Sequence, residues 1–378
     1  MKRRIKNLVI NSVLSATLLW GGVQAAEPIV LETQGSYAVG GSVVHHDGMF
    51  TQENFVSPQG QSAYGDHAYV FYQIPVNANE YPMVFQHGGA QSKRTWETTP
   101  DGRDGFQNIF LRKGFSVYLI DQPRSGEAAI STKPKKEGEA WSDNPLYGDH
   151  TLFMLSRVGY FDENDQPKLW EGSQFPEGPD SYNQFQRSWT IGAGELDNDV
   201  NADALAELFD EIGPSILVTH SMGGTIGWRT PLRTDNVKAI ISYEPGGTPF
   251  LFPETEMPKP SDATFPALGA SAMGIPMEDF LKLTKMPIIL YYGDFIPDHK
   301  VADAGPDKWR TEYEMAKQFV DAVNRHGGDA TIVHLPDIGI TGNDHFLMAN
   351  KNNQQLADLA EQWLASKGLN HKKNNSAK

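Results

Sequence analysis

Ser221 stands in Thr219-His220-Ser221-Met222-Gly223-Gly224, between the apolar run Ile216-Leu217-Val218 and a helical pattern that begins near Met222. A serine on a tight strand-to-helix turn projects its hydroxyl above a sheet as a nucleophile. The backbone N–H of the next residue can then face a developing oxyanion. The usual string is G-x-S-x-G; here Thr219 replaces the first glycine and Gly223 keeps the second. A serine at a helix start is often only a cap, but strand, turn and helix together favour the nucleophile.

A serine hydroxyl needs a base near neutral pH. Among 11 histidines, His345 has the right station: it ends Gly339-Ile340-Thr341-Gly342-Asn343-Asp344-His345, after the last strand pattern and before the last helix. There a loop can lean over the sheet edge. His220 adjoins the nucleophile but points oppositely along the strand-turn and reads as structural. His45, His46, His67, His326 and His371 carry no partner pattern. The orienting acid should fall between serine and histidine in chain order. Glu244 closes one strand pattern and Asp294 the next, and the residues alone leave both open. A second oxyanion donor is expected from Gln86-His87-Gly88-Gly89-Ala90, after Met83-Val84-Phe85, because glycine lets backbone N–H groups approach a substrate oxygen closely.

These residues need a scaffold that brings loop ends together. His67 to Ile74 alternates as an antiparallel strand. Met83 to Phe85, Phe115 to Ile120, Ile216 to Val218, Val237 to Tyr243, Pro287 to Tyr292 and Thr331 to Leu335 read as further strands. Helical patterns cover Phe106 to Lys113, Ala202 to Ile212, Lys308 to His326 and Asn353 to Ser366. Continuous apolar strands separated by helices predict an α/β fold: a mostly parallel central sheet with helices on both faces. Two segments break the rhythm. Residues 127–195 hold ten aromatics between Trp141 and Trp189, and residues 247–285 are rich in Pro, Phe and Met. Both are expected to be inserted lids or pocket walls.

Composition bounds the rest. Of 378 residues, 32 are Lys or Arg and 47 Asp or Glu, a net charge of −15 that argues against a nucleic-acid binder. No cysteine is present, so disulfides, thiolate metal sites and a cysteine nucleophile are excluded. Residues 1–25 read as a signal peptide: Lys2, Arg3, Arg4 and Lys6 precede an apolar run ending at Val23-Gln24-Ala25. That run is interrupted and short of the ~20 residues of a membrane span. The product is expected to be periplasmic or secreted, and losing those four positive charges lowers its net charge to −19. The catalytic domain is expected over residues 26–368, followed by a flexible polar tail, 369–378. Asp197-x-Asp199-x-Asn201 imitates a calcium loop, but Ala202 and Leu208 stand where Gly and Glu are needed, so it reads as a helix start. His45-His46-Asp47 lacks a second ligand cluster, and neither metal nor cofactor is expected.

The motifs His87-Gly88-Gly89 through Thr95-Trp96-Glu97, Ser221-Met222-Gly223, Tyr243-Glu244-Pro245-Gly246 and Gly339 to His345 resemble the α/β hydrolases. Within that superfamily they resemble a small family of secreted bacterial carboxylesterases. The resemblance implies an α/β-hydrolase fold and a Ser-Glu-His triad: Ser221 the nucleophile, Glu244 rather than Asp294 the acid, and His345 the base. It further implies Gly89 and Met222 as oxyanion donors, with His87, Gly88 and Trp96 at the substrate. The implied activity is hydrolysis of a small-molecule ester through an acyl-enzyme. Rival readings are a peptidase or acyltransferase with the same triad, or a non-catalytic periplasmic binding protein, which would have no need of all three residues.

Overall fold

The central strands of the main sheet carry buried side chains on both faces, so each packs against two layers at once. In the computed structural model, which describes residues 27–45, 47–49, 60, 62–126, 149–164, 166–186 and 196–373, eight strands form this sheet. They are β1 (Leu31–Val39), β2 (Ala68–Pro75), β3 (Met83–Gln86), β4 (Val117–Asp121), β5 (Ser215–His220), β6 (Val237–Tyr243), β7 (Pro287–Tyr292) and β8 (Asp329–His334). Their order is β1-β2-β4-β3-β5-β6-β7-β8. β2 runs against both neighbours, and the remaining pairs are parallel.

Alternation along the strands divides the core into two layers. Val84, Leu217, Ile240, Ile288 and Leu290 pack on one face with helices α4 (Asn198–Ile212), α5 (Gly223–Arg229) and α6 (Ala304–Arg325). Phe85, Ile216, Val218, Ile241 and Ile289 pack on the other with α1 (Phe106–Arg112) and α7 (Asn353–Ser366). The strand expected from residue 115 begins at Val117, and the helix expected from Lys308 begins a turn earlier, at Ala304. Asp197, the start of the calcium-like string, caps α4: its carboxylate accepts the N–H groups of Asp199 and Val200, an interaction worth ~1 kcal/mol.

The described parts of the first insertion include α2 (Asp149–Leu155), a two-stranded ribbon (Gly159–Phe161 with Pro167–Leu169) and α3 (Pro179–Gln186). Its Phe153, Phe175 and Phe185 are buried in the second layer, whereas Tyr160 is exposed. Residues 247–285 pair Phe250–Pro253 with Ala272–Ile275, and bury Phe250, Leu251, Phe252 and Phe280 in the first layer. Part of that segment is thus core. The expected loose tail is held over residues 369–373: Glu80 N–H donates to His371 O, Lys373 N–H donates to Ala78 O, and Asn79 bridges Lys372. The expected signal peptide, His46, Trp141, Tyr147, Trp189 and residues 374–378 lie outside the described residues.

Candidate active site

Strand register brings the carboxyl ends of the central strands level: Gln86 pairs with Thr219, and His220 with Tyr243. Ligand sites of open parallel sheets sit beyond these ends. Ser221 leaves β5 with φ 53°, a left-handed conformation that costs a non-glycine residue on the order of 1–3 kcal/mol. The turn around it is tied on both sides. Ser221 N–H donates to Tyr243 O at 3.0 Å, and Ser221 O accepts from Gly224 and Gly246 N–H. Thr219, in place of the usual glycine, is accommodated because its γ-methyl lies 3.0 Å from where a Cβ on Gly227 would stand. The closeness of strand and helix is therefore secured one helical turn on, at Gly227. Thr219 Oγ1 also hydrogen bonds Ser242 Oγ at 2.8 Å.

The structure brings Glu244, not Asp294, to the imidazole. Glu244 Oε2 lies 2.8 Å from His345 Nδ1, and both residues are buried. Glu244 follows β6 with φ 46°, and its N–H donates to Tyr291 O at 2.8 Å. Asp294 instead supports the histidine loop: Oδ2 accepts Gly342 N–H at 2.8 Å, and Asp294 N–H donates to Asn343 O at 2.6 Å. Burial pushes the pKa of His345 well below the usual histidine value, and the charges of Arg157 and Lys308 act in the same direction. The Glu244 contact at Nδ1 leaves Nε2 as the nitrogen available to a nucleophile.

Gly88 and Gly89 stand over the serine. A Cβ on Gly88 would lie 2.9 Å from Ser221 Cβ and 3.1 Å from His220 O, and one on Gly89 would collide with Met222 Sδ. Gly88 N–H is taken by Gln91 Oε1 at 3.1 Å. Among the described residues, Gly89 and Met222 N–H have no acceptor, which suits them to an oxyanion.

Two of the expected substrate contacts lie inside the protein. His87 and Trp96 are fully buried. His87 Nδ1 bonds Gly88 O at 2.7 Å, and its Nε2 accepts Gln122 N–H at 3.3 Å. Trp96 packs on Phe85, Phe106, His220 and Tyr243. His87 thus ties the glycine loop to the residue after β4, and Trp96 belongs to the second core layer. His220 is structural, as expected, but closer to the base than its strand position implies. Its ring centroid lies 4.5 Å from that of His345, and its Nε2–H donates to His345 O at 2.9 Å.

Sequence reasoning missed Arg157, Trp309 and Lys308. Arg157 is fully buried and its Nη2 donates to both oxygens of Glu244, at 2.7 and 2.8 Å. The Trp309 ring packs against His345 with centroids 4.0 Å apart and planes tilted by 35°, and Lys308 Nζ sits 3.8 Å over the Trp309 ring. The one sequence signal for Arg157 was a lone charge within the largely apolar stretch Leu152 to Phe161.

A mostly parallel sheet in this order, with a left-handed serine between strand and helix, defines an α/β hydrolase fold. The chain belongs to the alpha/beta hydrolase family, whose model matches residues 83–371. It is 29% identical over 318 residues to a protein named "Probable secreted lipase phiG" from a fungal species (strain ATCC 74256), covering 78% of this chain and 85% of that protein. It is also similar to the solved structure described as a novel bacterial esterase, with 29% identity and a TM-score of 0.68, covering 90% of this chain and 98% of that one.

Proposed function

We propose that this chain is an exported serine esterase acting through an acyl-enzyme. The observation that carries the reading is the buried Glu244–His345 pair, whose imidazole lies 4.5 Å from the ring of His220, the residue just before a serine held in a left-handed turn. Ser221 Oγ attacks the ester carbonyl as His345 Nε2 takes its proton, and the Glu244 carboxylate stabilises the imidazolium. Gly89 and Met222 N–H groups hold the oxyanion, a contribution of ~3–4 kcal/mol per donor. His345 then protonates the leaving alcohol, and water activated by the same base releases the acid.

Export is supported by the basic-then-apolar start ending at Ala25 and by a relative whose name includes "secreted". An apolar or aromatic ester is supported by the aromatic first insertion. The test is fluorophosphonate labelling and a panel of ester, amide and lactone substrates on the mature chain. Labelling and ester turnover are expected to vanish in Ser221→Ala. Labelling that survives this change rejects the mechanism, and a preference for small polar esters rejects the substrate class.

A further inference from the structure

Three consecutive residues of the first insertion each hold a different part of the site. Leu155 O accepts Trp309 Nε1–H at 2.8 Å, fixing the indole that packs against His345. Ser156 O accepts the backbone N–H of His345 at 3.2 Å. Arg157 Nη2 binds both oxygens of Glu244, and its Nε donates to Asp294 O at 3.3 Å. Arg157 is also left-handed, with φ 59°, so the chain accepts backbone strain to deliver it.

A glutamate side chain has three rotatable bonds, and a single hydrogen bond to His345 would leave its carboxylate free to swing. Arg157 and Gly293 N–H, which donates to Oε1 at 2.6 Å, pin both oxygens, so Oε2 presents one geometry to Nδ1. We infer that Arg157 is a positioning residue: it locks Glu244 against His345 and makes the first insertion a structural member of the acid–base pair rather than only a cover. This inference rests on the triad reading above.

Charge follows from the same placement. The groups facing His345 are Glu244 after β6, Arg157 of the insertion, Lys308 with its partner Glu312 on α6, His220 of β5 and Asp344 of its own loop. Burial, then the charge of His345, keeps the pKa of His220 well below its ordinary value, so it stays neutral; burial pushes Asp344 up to about 7. Arg157 and Lys308 oppose the imidazolium, and the carboxylate that favours it is shared with Arg157. The base therefore stays neutral, and competent, at a lower pH than an ordinary histidine allows.

The test compares wild type, Ser221→Ala, Arg157→Lys and Arg157→Gln, measuring kcat, KM and the pH profile of kcat/KM on one chromogenic ester, with folding checked by circular dichroism. The wild-type acid limb is expected below ~6.5, the ordinary histidine value. Arg157→Lys keeps charge and loses the fork: kcat should fall about 10- to 100-fold with KM within ~2-fold and the acid limb unmoved. Arg157→Gln should lower kcat at least as far and move the acid limb upward, because a charge opposing the imidazolium is gone. Wild-type kcat in folded Arg157→Lys, or a wild-type limb above ~6.5, overturns the inference even if Arg157→Gln does not fold. Turnover surviving in Ser221→Ala instead rejects the triad reading, and this inference with it.

Discussion

Glu244 Oε2 and His345 Nδ1 meet at 2.8 Å although 101 residues separate them in the chain, while the rival carboxylate of Asp294 is engaged with Gly342 N–H. The two acids therefore differ in what they orient, one a side chain and the other a backbone turn. Glu244→Gln should lower kcat roughly 10³- to 10⁴-fold, as amide replacement does in related triads. Asp294→Asn, which keeps an oxygen for Gly342, should cost less than about 10-fold. Steady-state kinetics on both variants decides, and a larger loss in Asp294→Asn would reverse the assignment.

His220 is a positioning group through its Nε2–H, which donates to the carbonyl of His345. Without it that carbonyl loses a buried donor and the His345 ring loses a packing neighbour. His220→Ala is expected to reduce kcat by about 10- to 100-fold through misplacement of the base. A folded variant with kcat within twofold of wild type would show that the loop holds itself.

Gly88 permits the glycine loop to rest on the nucleophile. Its missing Cβ would lie 2.9 Å from Ser221 Cβ and 3.1 Å from a backbone oxygen, closer than packed atoms tolerate. Gly88→Ala must push the loop from the serine, so Gly89 N–H withdraws from the oxyanion and kcat should drop about 10²-fold. The expected signature is a loss in kcat larger than any rise in KM.

Asp307, in the first turn of α6, ties that helix to the second insertion. Its carboxylate accepts Thr264 N–H at 2.6 Å, Val301 N–H at 3.2 Å and Arg310 Nε–H at 2.8 Å. Burial alone would raise its pKa, but these partners outweigh it and bring the group down to about 2. The lowered value means stability that is complete above ~4 and fades as pH falls through about 2. Asp307→Asn should lose about 2 kcal/mol at pH 6 in urea unfolding, with the difference shrinking below pH 4.

The sequence by itself marked seven of the sheet's eight strands, the helices of its main layers and three candidate positions of the site. Val237–Tyr243, Pro287–Tyr292 and Asn353–Ser366 have the bounds their patterns predict, because apolar strands and amphipathic helices are local signals. Ser221, His345 and the Gly88-Gly89 loop were legible because each sits at a strand end of recognisable type. The tertiary structure decided how each acid is used: both Glu244 and Asp294 end strands, the family resemblance favoured Glu244, and packing turns that carboxylate toward the imidazole and the other toward a backbone amide. It also decided that His87 and Trp96 are buried supports, that Gly227 makes room for Thr219, and that Arg157 reaches the triad from an insertion. Those relations join residues far apart in the chain, and no local pattern encodes a contact between side chains that meet only when the layers close.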